Sequence, residues 1–311
     1  MTTKPGSDAD GMRDVEDIVA RCYSTWGERY YTDYYGPDAP YPPVHRDLVA
    51  SLLDQHGAKR VIDAGCGPAS ILRHLVAPSR QLYGFDLTPE MIDEAKRVMA
   101  PLGTSAERLW IGSVVDPAAY APPDEAFQPY DAAVCIGVLP HLPEGQEEPL
   151  IRNLHDCVSP GGMVLVEGRN ELFSLFTMNR YSHDFLVERL LSPDLRQSAG
   201  DEAPKLDKAL VDLKAMFRTD IPPIRKGYKD EPGYDEVVSR LHNPISLVKQ
   251  FEAGGFVRVR PLFYHFHCLP PMFGSQVPDL FRRESLAMEQ NPEDWRGYFM
   301  ASAFIIVAER P

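Results

Sequence analysis

The chain has 311 residues with 45 acidic and 32 basic side chains, which gives a formal net charge of −13 at pH 7. This length suffices for one large domain with an insertion or for two small ones. Hydrophobic residues make up 44% and charged residues 25%, values typical of globular proteins that exclude a disordered or fibrous chain. The negative charge would repel a phosphate backbone and no basic stripe interrupts it, so no nucleic-acid partner is expected.

The five cysteines are scattered, with neither paired metal-ligand spacing nor a secreted disulfide framework, which indicates a reducing compartment. Residues 1–11 are polar and lack an apolar signal core, and no apolar run approaches the ~18 residues of a membrane helix. We therefore expect a cytoplasmic protein with no membrane partner, and a homodimer is left open.

The N-terminal region, residues 1–43, carries a cluster of tyrosines and a tryptophan in a helix-like stretch that ends at several prolines. We predict a lid whose aromatic rings cover a ligand pocket, with an amphipathic packing helix as the alternative. Residues 44–57 then return to a helical period, and Gly57 is placed as the C-cap.

Between Arg60 and Glu167 short apolar runs alternate with helical patterns, which is typical of βαβ units and a parallel sheet. Helices are predicted at 69–76 and from Thr88, a good N-cap that precedes a proline at the first helical position. The acidic run 144–148 is typical of a solvated helix start. The five predicted strands are 60–63, 81–85, 108–111, 132–136 and 163–167.

Between Arg169 and His242 the strand pattern gives way to helical signals, at 171–191 and 206–217. We predict an inserted helical subdomain, 169–242, that covers the substrate. Residues 44–168 and 243–311 then form the α/β domain. Its last part contains a helix opened by Asn243-Pro244 and ended by two glycines, followed by strands at 256–267 and 298–308.

The most informative local pattern is the turn after the first strand, Asp63-Ala64-Gly65-Cys66-Gly67. Glycines at 65 and 67 let the backbone turn sharply and approach a ligand without side-chain obstruction. Asp86 ends the next strand, where a carboxylate can accept hydrogen bonds from both hydroxyls of a ribose. The glycine pattern alone also fits structural turns and other nucleotide folds, but together with Asp86 it predicts a nucleotide-like cofactor.

Four segments in this order resemble the class I methyltransferases that depend on S-adenosylmethionine (SAM). They are Val61–Gly67, Tyr83–Met91, Tyr130–Leu142 and Leu154–Val166. The resemblance covers residues 44–167 well and the last two strands loosely. It implies a Rossmann-like, doubly wound sheet of about seven strands, mostly parallel with an antiparallel last strand, and a helical insert after strand five.

The resemblance implies SAM as cofactor and S-adenosylhomocysteine (SAH) as its product. In this family the glycine turn lies beside the methionine part of SAM, and Asp86 holds the ribose. An acidic residue often follows the third strand and meets the adenine amine; here Ser113 stands in its place, so either Ser113 or Asp116 would accept that hydrogen bond. The predicted cofactor-binding residues are Asp63, Gly65, Cys66, Gly67, Asp86, Leu87, Ser113, Val114, Ile136 and Tyr31.

Methyl transfer needs few catalytic groups, because the sulfonium activates the methyl group and the protein mainly aligns the acceptor and removes its proton. His141, just past the fourth strand, is the predicted general base, since a histidine with a pKa of ~6.5 accepts a proton at neutral pH. A structural loop histidine is the alternative. No metal is predicted, because His265 and His267 have no carboxylate at ligand spacing nearby.

The acceptor pocket is predicted from the lid and from the insert, whose first residues follow strand five at the ligand-bearing edge of the sheet. The predicted substrate-binding residues are Tyr30, Tyr35, Arg169, Asn170, Arg180, Tyr181 and His265.

The leading hypothesis is methylation of a small organic molecule in specialised metabolism, on a hydroxyl or carboxyl oxygen, because the lid and insert suggest an enclosed pocket. Methylation of a small amine is nearly as well supported, since an amine needs no dedicated base. An NAD-dependent oxidoreductase would share the turn but normally has GxGxxG spacing, which this chain lacks. A non-catalytic SAM-binding module is the remaining alternative.

Overall fold

The structure is a computed structural model that describes residues 7–36, 42–221 and 235–311. The strands in these ranges are β1 (Arg60–Ala64), β2 (Gln81–Asp86), β3 (Leu109–Ile111), β4 (Tyr130–Cys135), β5 (Val158–Arg169), β6 (Val257–Phe266) and β7 (Ala301–Glu309). The α-helices are α1 (Ser7–Ser24), α2 (Gly27–Tyr35), α3 (Val44–His56), α4 (Pro89–Met99), α5 (Glu147–Cys157), α6 (Arg180–Asp184), α7 (Leu195–Ser198), α8 (Ala203–Ala215), α9 (Pro244–Ala253), α10 (Pro278–Met288) and α11 (Gly297–Met300).

The seven strands of the described chain form one sheet in the order β3-β2-β1-β4-β5-β7-β6. Strands β1 to β5 pair in parallel, and β7 pairs antiparallel with β5 from Met163 opposite Glu309 to Arg169 opposite Ala303. The central strands are continuous apolar runs buried on both faces, as parallel sheets covered by helices require. The predicted Rossmann-like fold is confirmed.

The order of the strands also sets where a ligand can bind. Helix α4 packs on β2 and β3, and α5 packs on β4 and β5. The chain order reverses between β1 and β4, and right-handed crossovers place the two sets of helices on opposite faces. A crevice therefore opens outside the carboxyl ends of β1 and β4, where open α/β sheets bind their ligands.

The predicted helix ends agree with the structure where capping residues define them. Helix α3 ends at Gly57, which is left-handed with φ 71°. Helix α4 begins at Pro89 directly after Thr88. Helix α9 begins after Asn243, whose side chain accepts hydrogen bonds from the N–H groups of the first turn.

Two predicted helical stretches differ from the structure. At 69–76 the chain forms only a single 3₁₀ turn, Leu72–His74, because Ala69 is left-handed with φ 59° and cannot belong to an α-helix. The predicted helical stretch 171–191 is helical over most of its length, but a left-handed Met178 (φ 54°) separates a 3₁₀ segment from helix α6, which continues directly into a π-helical segment. Helices α10 and α11, between β6 and β7, had no counterpart in the sequence prediction.

The chain divides into two compact units. The first comprises the described parts of Met1–Arg169, Lys229–Leu262 and Ala303–Pro311, and the second those of Asn170–Tyr228 and Phe263–Ser302. The second unit therefore takes in residues 263–302, which the sequence interpretation assigned to the α/β domain, besides much of the predicted insert. Throughout the described ranges, no helix combines the length and apolar character needed to cross a membrane.

Candidate active site

A cavity lies in the first unit at the carboxyl edge of the sheet. Its walls are the turn after β1, the segments after β2, β3 and β4, and residues of α1 and α2. The predicted site residues that line it are Tyr30, Tyr35, Asp63, Gly65, Cys66, Gly67, Asp86, Leu87, Ser113, Val114, Ile136 and His141.

The glycine turn is fixed by backbone hydrogen bonds and by close packing. The N–H groups of Gly65 and Cys66 donate to the carbonyl of Phe85 at 2.8 and 3.0 Å. Gly65 has φ 82°, and a β-carbon there would lie 2.2 Å from Cγ2 of Val138. At Gly67, with φ 51°, a β-carbon would meet no protein atom within 4 Å. Gly65 therefore permits packing inside the protein, whereas Gly67 borders open space.

Two carboxyl groups stand behind this turn. Asp86 accepts hydrogen bonds from the N–H of Gly67 and from that of Thr88, each at 2.9 Å and each on a different oxygen. A carboxylate has about four lone-pair positions, so both oxygens of Asp86 can accept further hydrogen bonds from a ligand diol. Burial, and secondarily the charge on Asp86, raises the pKa of Asp63 to about 8. This wall of the cavity therefore suits a ligand that carries positive charge.

His141 is buried at the rim of the same cavity, and both of its ring nitrogens are in hydrogen bonds. Nδ1 lies 2.7 Å from the carbonyl oxygen of Val238, and Nε2 lies 3.0 Å from the hydroxyl of Tyr23 on α1. A carbonyl oxygen only accepts, so Nδ1 carries the proton and Nε2 presents its lone pair to the tyrosine hydroxyl. The tautomer with a basic Nε2 is therefore fixed by the backbone.

The loop that carries Val238 is anchored by Arg240. The backbone N–H of Arg240 donates to the carbonyl of Pro140 at 2.8 Å, and its guanidinium lies 2.5 Å from a carboxylate oxygen of Glu147. Burial would raise the pKa of Glu147, yet His242 and Arg240 beside it lower that pKa to about 2. Glu147 is buried, which differs from the solvated acidic helix start predicted for this segment.

The sequence interpretation missed the residues of α1 that line the cavity. Val15, Glu16, Val19 and Tyr23 all lie in the wall, at a spacing that places them on one face of a helix. The hydroxyl of Ser113 donates to Glu16. This helical spacing was visible in the sequence, but nothing in it indicated which part of the chain that face would meet.

Tyr31, a predicted cofactor residue, lies outside the cavity lining. Its hydroxyl is 2.8 Å from Nε2 of His74, and the guanidinium of Arg73 lies 3.7 Å from its ring centroid. The alternative adenine partner, Asp116, also lies elsewhere: it is exposed and accepts from the N–H of Ala118 at 2.9 Å, where it caps a short 3₁₀ helix. Both side chains thus make local contacts, and cofactor binding by Tyr31 stays a prediction.

Arg169 and Asn170, at the end of β5, are not among the cavity residues either. The guanidinium of Arg169 donates to the hydroxyl of Ser239. The amide nitrogen of Asn170 lies 2.8–3.1 Å from three backbone carbonyls between residues 297 and 301, and its oxygen accepts from the N–H of Leu172 at 3.0 Å. This set of bonds uses the polar atoms of a fully buried Asn170 inside the second unit.

The other predicted substrate residues also belong to the second unit. Arg180 donates to the backbone carbonyls of Thr219 and Ile221, each at 2.9 Å. Tyr181 follows it in α6, and His265 is a left-handed residue of β6 with φ 55°. For Arg180 the structure favours a structural role, and acceptor binding by Tyr181 and His265 stays a prediction.

Comparison with known proteins finds a methyltransferase domain in this chain. Residues 62–164 match the family model described as a methyltransferase domain. The chain is 27% identical over 194 residues to a ubiquinone biosynthesis O-methyltransferase of Vibrio vulnificus, an alignment of 61% of this chain and 74% of that protein. The corresponding Vibrio cholerae protein is 26% identical over 194 residues, with 61% of this chain and 71% of that protein covered.

A solved structure supports the same fold. It is the magnesium protoporphyrin IX methyltransferase of Synechocystis PCC 6803 with bound SAH, at a TM-score of 0.50 and 15% identity, covering 96% of this chain and 100% of that one. Residues 62–164 thus form a methyltransferase domain of the class I, SAM-dependent type. The protein is an enzyme, a methyltransferase whose cofactor is SAM. The hypotheses of an NAD-dependent oxidoreductase and of a non-catalytic SAM-binding module are therefore set aside.

The cavity of this methyltransferase fits that cofactor. A β-carbon at Gly67 would project into open space, so the backbone there can approach a ligand closely. The oxygens of Asp86 suit the two ribose hydroxyls, and Asp63 suits a positively charged ligand. SAM would supply the activated methyl group there, and the residues of this cavity would supply position and electrostatics.

Proposed function

We propose that this methyltransferase transfers the methyl group of SAM to a hydroxyl oxygen of a small organic molecule, with His141 as the general base. The observation that carries the proposal is the pair of hydrogen bonds at His141. Nδ1 is 2.7 Å from the carbonyl of Val238 and Nε2 is 3.0 Å from the hydroxyl of Tyr23, within the cavity that also contains the glycine turn.

A basic nitrogen aimed at the cavity favours a hydroxyl acceptor over the alternatives. A hydroxyl must lose a proton as it attacks, so a positioned base lowers the barrier. A carboxylic acid is already ionised at neutral pH, and an aromatic amine is neutral and nucleophilic there. Neither needs a base held in one tautomer by a backbone carbonyl.

The two hydrogen bonds of His141 have different roles in proton transfer. Nε2 of His141 takes the proton of the acceptor hydroxyl, directly or through the hydroxyl of Tyr23. The carbonyl of Val238 faces the Nδ1 proton and stabilises the imidazolium that forms. Asp86 and the backbone of the glycine turn hold the donor, so the acceptor is aligned between that turn and His141.

Two further observations support a small acceptor and transfer of the methyl group to an oxygen atom. Tyr23, Tyr30 and Tyr35 place aromatic rings in the cavity wall, a lining typical of sites that enclose small organic ligands. The Vibrio relatives are named as O-methyltransferases of ubiquinone biosynthesis. A small-molecule acceptor is consistent with both, and the net charge of −13 disfavours nucleic acid.

The proposal is tested with a panel of matched acceptors and SAM labelled in its methyl group. Each set contains three compounds with the same ring scaffold: a phenol, an aniline and a benzoate. Mass spectrometry identifies which atom of each product carries the labelled methyl group. In any set that yields a methylated product, we expect the label on the phenolic oxygen. Preferential labelling of the aniline nitrogen or of the carboxylate in every productive set would contradict the proposal.

A further inference from the structure

The cavity wall next to β3 lacks the acidic residue that the family resemblance leads one to expect in that segment. Ser113 stands there, and Asp116 is exposed and bonded to the N–H of Ala118. We infer that Glu16, on helix α1, recognises the exocyclic amine of the SAM adenine, and that Ser113 positions its carboxylate. This inference rests on SAM as cofactor and adds a specificity residue to its site.

The arrangement of the sheet places the adenine at this end of the cavity. The strands follow the order β3-β2-β1-β4, and Asp86, at the end of β2, suits the ribose. On the β4 side lie the glycine turn, Gly137 and the base His141, where the methyl group must be delivered. The adenine of the cofactor would therefore lie on the other side, towards β3, where Leu87 and Val114 line the cavity.

Glu16 lies in the wall of that same end. The hydroxyl of Ser113 donates to Oε1 of Glu16 and accepts from the N–H of Val115 at 3.3 Å. The proton of Ser113 is thus committed to Glu16, so the acceptor offered to a ligand is the carboxylate, which has lone pairs beyond the one that Ser113 uses. An ionised acceptor also makes a stronger hydrogen bond to an amine than a hydroxyl does.

The hydrogen bond between Ser113 and Glu16 also links helix α1 to His141. Glu16 and Tyr23 lie on the same face of α1, and the hydroxyl of Tyr23 is 3.0 Å from Nε2 of His141. Recognition of adenine by Glu16 therefore holds in place the helix that also contacts the base. A donor with the wrong purine would lose both the hydrogen bond and this positioning.

The test compares the affinities of two ligands by calorimetry: SAH and S-inosylhomocysteine, in which a carbonyl replaces the exocyclic amine. The carbonyl oxygen would face the carboxylate of Glu16 without a proton to share. We expect the wild type to prefer SAH by roughly tenfold or more, and Glu16→Gln, which keeps the size and adds a donor, to reduce that preference by about tenfold.

Two charge-matched variants serve as controls. Asp17→Asn removes an exposed carboxylate from the next position of α1, and Asp116→Asn removes the other candidate acceptor. We expect the ratio of the two affinities to stay at the wild-type value in both. An unchanged ratio in Glu16→Gln, or an equal loss in Asp116→Asn, would overturn the assignment of Glu16. Failure of the wild type to bind SAH would instead refute the cofactor site itself.

Discussion

Asp63 shows how a carboxyl group can be placed for its ligand at a cost to the fold. Its side chain is 2% exposed, and burial followed by the nearby Asp86 raises its pKa to about 8. In the unfolded chain the same group ionises near pH ~4, so between these values the folded protein binds one more proton. A cationic sulfonium compensates for that cost, since it stabilises the ionised form.

A pH dependence of stability follows from this shift. The neutral Asp63 contributes stability that is fully present below about pH 4 and is lost as the pH rises to about 8. Without ligand, Asp63→Asn should therefore raise the free energy of unfolding at pH 8 relative to wild type by at least ~1 kcal/mol, with little gain at pH 4. Urea denaturation at both pH values measures the difference. An identical gain in the exposed-site control Asp93→Asn would contradict this account.

Gly65 and Gly67 are both left-handed glycines, yet they should respond differently to a β-carbon. Gly65→Ala adds a clash with Val138 to the backbone strain, so we expect a loss of about 2 kcal/mol or more in the free energy of unfolding. Gly67→Ala has strain alone, about 1 kcal/mol, but its methyl group enters the cavity and should weaken SAH binding.

The clash at Gly65 has a matched suppressor. The double variant Gly65→Ala with Val138→Ala should be more stable than the sum of the two single losses, because the second change removes the atom 2.2 Å from the new methyl group. Chemical denaturation of the four proteins gives the coupling directly. Simple additivity would show that the close approach is not what requires glycine there.

Local patterns predicted the residues of the turn well, because strand ends and glycines act over a few positions. Asp63, Gly65, Gly67 and Asp86 were predicted in this way and do line one cavity. Glu16 was not, since it meets Ser113 across 97 positions of sequence. The helical period of α1 marks an apolar face but carries no information about its partner.

At the scale of elements, the loop that contains Val238 and Arg240 is predicted to position His141. Arg240 anchors the segment whose Val238 carbonyl faces Nδ1 of His141. Arg240→Met keeps the length of the stem but removes the guanidinium beside Glu147. We expect kcat to fall by about tenfold while the Kd for SAH stays at its wild-type value, because Arg240 acts through the base and not through the cofactor.

Two checks separate positioning from general damage in that variant. Arg240→Lys, which retains a cation near Glu147, should recover part of kcat. The exposed pair between Arg152 and Glu148 offers a matched control, and Arg152→Met should leave kcat unchanged. A parallel loss of SAH affinity in Arg240→Met would show that the loop supports the whole site.

Elements with capping signals were predicted at the right places, and elements set by tertiary packing were not. Thr88-Pro89 and Asn243-Pro244 fix helix starts by local chemistry. The left-handed conformations of Ala69 and Met178 carry no such signal, because neither alanine nor methionine favours them. The predicted helix 69–76 was therefore wrong, and the helical stretch 171–191 is interrupted at Met178.

For the whole molecule, alternation of apolar runs and helical patterns predicted five parallel strands, because burial on both faces demands that pattern. The family resemblance added the Rossmann-like sheet of about seven strands, which the structure shows. It did not predict that residues 263–302 join the second unit. The lid role of residues 1–43, the substrate-covering role of 169–242, a cytoplasmic location and a homodimer stay predictions.

The most direct test measures methyl transfer and cofactor affinity in the same variants. With the acceptor found in the matched panel, methyl transfer by wild type, His141→Gln and Tyr23→Phe is measured at saturating SAM, and SAH affinity is measured in parallel. His141→Gln should lower kcat by about a hundredfold or more, and Tyr23→Phe by less, with SAH affinity intact in both. An unchanged kcat in His141→Gln would contradict a base at this position.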